Sequence, residues 1–120
     1  MTKTYILPLL CIVFIFSACS RDKQMETFFS QADSLMEEYP DSALNLLKRL
    51  PISYKLSDKD CARYALLLAK ATDKSEQSLL SCDSLLNIAL HYYKDDEKER
   101  AVALLYEGRL EEEMNNTKKP

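Results

Sequence analysis

Apolar side chains recur along most of this chain at intervals of three and four residues, with charged and amide residues filling the positions between. The first such series is Met25, Phe28, Phe29, Ala32, Leu35, Met36 and Tyr39. Spacing of this kind lines one face of a 3.6-residue helix, so the pattern predicts a helix here that Pro40 stops. Asp41 is placed to cap a second helix, with Ala43, Leu46, Leu47 and Leu50 on one stripe and Pro51 at its end. So short a break between the two predicts an antiparallel pair.

Residues 52–56 read as a linker. Ser57 can cap the next helix, and Asp58 and Asp60 favour the positive end of its dipole. The third helix carries Cys61, Tyr64, Ala65, Leu68 and either Ala71 or Thr72 on one stripe. The fourth, after "DKSEQS", carries Cys82, Leu85, Leu86, Ala89, Tyr92 and Tyr93. Leu66, Leu67, Ile88 and Leu90 widen both stripes past one face, as expected of helices covered on two sides. A fifth helix, capped by Asp95 or Asp96, is expected to bury Ala101, Val102, Leu104, Leu105, Tyr106 and Gly108. Helix starts near residues 24, 58 and 96 recur close to the 34-residue period of helix-pair repeats.

Composition narrows the class. One Gly and four Pro in 120 residues leave almost no turn chemistry for hairpins, and the apolar residues are mainly Leu and Ala, so the expected class is all-α. About five helices should follow the N-terminal segment, stacked as antiparallel pairs.

That N-terminal segment has its own pattern. Lys3 gives a basic flank, Tyr5 to Phe16 an apolar core broken by Pro8, and Ser17-Ala18 two small residues before Cys19, the order of a secretory leader. A transmembrane anchor is the competing reading. A helix from Tyr5 to Ala18 would rise only about 21 Å against a hydrocarbon core of roughly 30 Å. The expected division is a leader at 1–18, a tether at 19–23 and a helical domain at 24–120.

"FSAC", residues 16–19, resembles the lipobox of bacterial lipoproteins, with Phe16 where the family usually has Leu or another aliphatic residue. The resemblance implies cleavage before Cys19 and a diacylglyceryl thioether on its sulfur, often with an acylated amino group. Several acyl chains hold a protein at a bilayer where one is marginal. Ser20 resembles the outer-membrane sorting choice of enteric bacteria, which implies an outer-membrane address. Removal of Lys3 with the leader leaves 15 basic against 19 acidic side chains, a formal net charge of −4. That charge offers no footprint for nucleic acid.

With Cys11 removed and Cys19 lipidated, only Cys61 and Cys82 remain. If both begin consecutive antiparallel helices, Cys61 lies about 20 Å from the shared turn beside which Cys82 sits. A bridge needs Cα atoms within about 7 Å, so both are expected to be free, largely buried thiols.

"AVALLYEGRLEEEMNN" is similar to the first helix of a tetratricopeptide repeat. Gly108 matches the small position at which the two helices of a repeat approach closely, Leu104 the large apolar position before it, and Asn115-Asn116 the turn. Glu111 stands where the family usually has an aromatic. "YPDSALNLLKRL" resembles a repeat's second helix, with Ala43 small and Leu47 large. The order of segments across 16–116 resembles the N-terminal region of envelope tetratricopeptide-repeat proteins of Bacteroidetes. The resemblance implies a short solenoid that binds other proteins on a concave helical surface. After Asn116 only "TKKP" follows where a repeat has its second helix, so the last repeat is expected to be incomplete, as in a truncated relative, and the fifth helix to lack its cover.

Catalytic chemistry finds little purchase. His91 has only Asp95 as a nearby carboxylate, and no partner completes a catalytic pair or metal site. "DDE" at 95–97 and "EEE" at 111–113 lack the glycine and loop of a calcium site and read as a helix cap and solvated faces. A single glycine rules out a nucleophile elbow or a phosphate-cradling loop. No cofactor and no metal are expected. Phe28, Phe29, Tyr64 and Tyr106 are spaced for packing, while Tyr92, Tyr93 and Leu105 are the candidate partner face. The expected function is a non-enzymatic, lipid-anchored envelope module for a protein or peptide partner; the alternative is a structural lipoprotein that self-associates through its uncovered last helix.

Overall fold

The computed structural model describes residues 23–50 and 55–117. Five α-helices and a 3₁₀ turn make up most of this, and no strand occurs among the described residues: α1 (23–35), α2 (Pro40–Lys48), α3 (Asp58–Lys74), the 3₁₀ turn Leu79–Cys82, α4 (Asp83–Tyr92) and α5 (Glu97–Thr117). The protein is all-α, as its composition and periodicity suggest. The expected leader, Cys19 and the expected tether up to residue 22 lie outside the described residues, and so do residues 51–54. Lys23, expected in the tether, already belongs to α1, since no breaker separates it from Met25.

The helix ends correct several expectations. Pro40 begins α2 instead of merely stopping α1, because a proline at the first helical position removes an N–H that would have no partner. Tyr39, and not Asp41, is therefore the N-cap residue; it makes no side-chain cap, its backbone lies outside the helical region at φ −133° and ψ 63°, and it is 59% exposed. Ser57 does cap α3, its Oγ accepting the Asp60 N–H at 3.2 Å. Asp96, of the two candidates, accepts the Glu99 N–H at 3.2 Å at the start of α5.

α3 closes with the two reverse hydrogen bonds of a Schellman turn. The Glu76 N–H donates to the Asp73 carbonyl and the Gln77 N–H to the Thr72 carbonyl, both at 3.0 Å. Glu76 occupies the left-handed position at φ 57°, where glycine is usual. A 3₁₀ turn then intervenes, so Cys82 precedes α4 instead of lying on it.

Two hydrophobic clusters share α3 between them. Met25, Phe29, Ala32 and Met36 pack with Ala43, Leu44 and Leu47 of α2 and with Ala71 of α3. Ala65, Leu66 and Ala69 of α3 pack with Leu79, Cys82, Leu86 and Ala89, and with Ala103, Tyr106 and Leu110 of α5. α3 is thus covered on two sides, and its small alanines let neighbours close from both. On α2, Leu44 is fully buried while Leu46 is only half-buried, as is Leu50 just past the helix end, because α2 meets α1 and α3 on different sides. α3 contacts α2, α4 and α5, whereas α2 touches neither α4 nor α5.

Buried positions recur along the chain. Met25, Phe29 and Ala32 of α1 are followed 37 residues later by Ala62, Leu66 and Ala69 of α3, and Leu66 and Ala69 by Ala103 and Tyr106 of α5 after the same interval. Two ion pairs have the same spacing, Arg63 with Glu26 at 2.7 Å and Lys74 with Glu37 at 2.9 Å, and Arg109 binds Asp73 at 2.6 Å across 36 residues. The interval is 37 residues, not the 34 read from helix starts.

Candidate functional site

α5 turns inward at Ala103, Tyr106 and Leu110, with Val102 and Met114 half-buried beside them. At 100° per residue, the opposite side presents Ala101, Leu104, Leu105 and Gly108. The expectation that these four would be buried is overturned. Leu104 is 48% and Leu105 53% exposed, and Ala101 and Gly108 also face outward. The run "AVALLY" is apolar all the way round and so carries no phase; the neighbours α4 and α3 cover only one side of it.

Gly108 is the chain's single glycine. A Cβ built there meets nothing within 4 Å. Its small size therefore serves no contact among the described residues. A glycine in a helix interior costs about 1 kcal/mol relative to alanine, and here nothing internal offsets that.

The C-terminal half of α5 is fixed by a carboxylate. Glu113 accepts the Leu79 N–H at 2.9 Å, closing the start of the 3₁₀ turn. Hydrogen bonds from Ser78 and from the Leu79 backbone hold the Glu113 carboxyl below its ordinary range. Glu107, one and a half turns earlier, behaves oppositely: its Oε2 is buried without a partner, and desolvation, with Asp83 and Glu111 nearby, raises its pKa.

Concave surfaces among the described residues include two that take in candidate residues. A groove of about 390 Å³ lies where α1, α3 and α5 meet, bounded by Leu66, Tyr93 and Val102 with Arg63, Lys70 and Lys98 around them. Arg63 is held there by Glu26 and lies 5.2 Å from the centre of the Phe29 ring. A second groove, also about 390 Å³, is formed by Asp58 of α3 and by Asn87, Ile88, His91 and Tyr92 of α4. Periodicity alone could not bring Asp58 to His91, because the two come from separate helices.

The candidate partner residues do not share one surface. Tyr92 lines the groove with His91, Tyr93 is half-buried in the other, and Leu105 stands on the outer face of α5. Adjacent residues on a helix point about 100° apart, so the two tyrosines meet edge to face, at 5.0 Å between centroids, yet face different grooves. Cys19 lies outside the described residues. Both remaining cysteines are free; Cys61 is half-buried and Cys82 buried, its thiol donating to Thr72 Oγ1 at 3.8 Å.

Among the described residues no group of three or more His, Cys, Asp or Glu side chains is placed to hold a metal ion. Nor is any described helix long and apolar enough to cross a membrane. In comparison with known proteins, no family model, no curated protein and no solved structure matches the chain.

Proposed function

We propose that this chain is a non-enzymatic protein–protein interaction module, built as a short helical-repeat solenoid and held at a bacterial envelope membrane, the outer membrane by preference, through lipid on Cys19. The observation that carries the reading is the outer face of α5, where two half-exposed leucines flank a glycine that no internal contact requires. Apolar side chains grouped on a helix opposite its core mark a surface meant for another helix. The 37-residue recurrence of buried positions, with two ion pairs at that spacing, supports the repeat architecture. The "FSAC" sequence supports the anchor.

The test is site-specific photo-cross-linking in the membranes of cells making the full chain. A photoreactive residue replacing Leu105 should give a discrete protein adduct that the same residue replacing Asn45, exposed on α2, does not. Equal labelling at both positions would remove the α5 face as the binding surface. Intact mass of the wild type beside Cys19→Ala tests the anchor separately: acyl mass on a chain starting at Cys19 is the expected result.

A further inference from the structure

We propose that the outer face of α5 binds the same face of a second copy of the chain, the two helices running antiparallel with Leu104 of each copy seated over Gly108 of the other. This rests on the reading of that face as the binding surface and names its occupant.

Charge on the rim of the face points to a second copy. On one flank of the apolar strip the exposed end groups are Arg100 near the start of α5 and Glu111 near its end. Neither forms an ion pair with any described residue. That flank is thus basic at one end and acidic at the other. A surface of that kind complements itself when turned end for end, which is the requirement of an isologous two-fold contact.

Geometry fixes the register. Arg100 and Glu111 are separated by about 16 Å along the helix. A two-fold axis crossing between residues 105 and 106 sets Arg100 of each copy beside Glu111 of the other. The same axis places Leu104 within about one residue's rise of the level of the second copy's Gly108. The glycine's missing side chain gives that leucine room, which supplies the use for Gly108 that the single chain lacks. Glu97, on the midline, falls opposite the neutral Asn115. A parallel pairing would bring the acidic ends of the two helices together and forfeit the Arg100–Glu111 contact.

One helix face per copy is a small interface, so the dimer should be weak in dilute solution and favoured where a membrane concentrates the chain.

Cysteine cross-linking of the full chain in its membranes tests the register. In the antiparallel pair a chain carrying both Arg100→Cys and Glu111→Cys oxidises to a dimer, whereas either single substitution does not, because its own copies lie about 16 Å apart and a disulfide needs Cα atoms within about 7 Å. Cys61 and Cys82 are present in all three chains, so the single variants control for them. Equal dimer yields from the double and single variants, or dimer from Arg100→Cys alone, would overturn the proposal.

A charge exchange supplies a second measurement. Arg100→Glu should weaken association about tenfold, counting two symmetric contacts per dimer, and Arg100→Glu with Glu111→Arg should restore it. Failure of the double exchange to restore association overturns the register. A photo-adduct at Leu105 with a different protein, together with no cross-linked dimer, overturns this inference and leaves the interaction-module reading standing. No adduct at Leu105 of either kind ends both.

Discussion

Arg109 reaches back 36 residues to Asp73 and meets its carboxylate at 2.6 Å. Lys74 does the same for Glu37 across 37 residues, at 2.9 Å. Each base sits on one helix of the series α1, α3, α5 and each acid at or just past the end of the preceding helix in that series, so the pairs tie neighbouring members of the series together at intervals that differ by one residue. Both are largely solvated, which limits their worth. Arg109→Ala and Asp73→Ala should each cost under about 1 kcal/mol, and a double-mutant cycle between them should give a coupling of about 0.5 kcal/mol that shrinks as salt is added. Denaturant titrations of the four proteins measure it; zero coupling at low salt would show that the packed side chains alone set the register.

Glu76 provides a cleaner stability test. Its left-handed backbone at φ 57° closes the Schellman turn of α3, and side chains with a Cβ adopt that conformation at a cost of about 1 kcal/mol. Glu76→Gly should therefore raise stability by about 0.5–1 kcal/mol, the gain trimmed by glycine's freedom in the unfolded chain. A lowered thermal midpoint would mean that the turn is not held in this form in solution.

Much of this architecture was legible in the chain, and the misreadings share a cause. The Ser57 cap, the break near Pro40 and the two-sided burial of α3 follow from local chemistry and from stripes too wide for one face. What periodicity cannot supply is phase where apolar residues are contiguous. "AVALLY" on α5 fits a buried face that includes Leu104 and Leu105, yet the structure turns those two outward because α4 and α3 approach from the side of Ala103 and Tyr106. Leu44 falls outside the expected stripe for the same reason, since "ALNLL" fits more than one. Tyr92 and Tyr93 are neighbours in sequence, and neighbours on a helix point apart. The 3₁₀ turn at Leu79–Cys82 has no apolar period of its own, and its anchor is Glu113, 34 residues away.

Two carboxylates on α5 should pull the pH dependence of folding in opposite directions. Glu107 has its pKa raised from 4.5 by desolvation, so the folded chain takes up its proton more readily than the unfolded one. Its contribution is fully present below the unfolded pKa and is lost as pH rises through the folded value. Glu113 is lowered from 4.5, so its contribution is present above the unfolded pKa and is lost as pH falls through the folded value. Glu107→Gln should stabilise the protein at neutral pH, by up to roughly 1 kcal/mol, and leave stability near pH 3 almost unchanged. Glu113→Gln should do the reverse in kind, lowering stability at neutral pH with little effect in acid. Thermal midpoints from pH 3 to 7 distinguish the two; a parallel response in both variants would contradict the assigned environments.

Gly108 separates folding from binding. Because a Cβ there meets nothing within 4 Å, Gly108→Ala should stabilise the isolated chain by about 1 kcal/mol through helix propensity alone, a rise of roughly 4–8 °C in its midpoint. The same methyl group occupies the space offered to another helix, so association should weaken. A variant that melts higher and associates less is the expected combination. If it melts higher with association unchanged, the glycine has no role at the surface.

The most direct test of the account asks whether the outer face of α5 is covered where the protein resides. Leu104→Cys and, as a control, Asn45→Cys in the full chain are labelled with a bulky maleimide, first in intact membranes and then after dilution in mild detergent. Leu104→Cys should react at least about tenfold more slowly than the control in membranes, the protection expected of a residue closed into an interface, and at a similar rate once diluted. Equal rates for the two positions in membranes would show α5 bare in its native setting, and would contradict the reading of this face as the protein's binding surface.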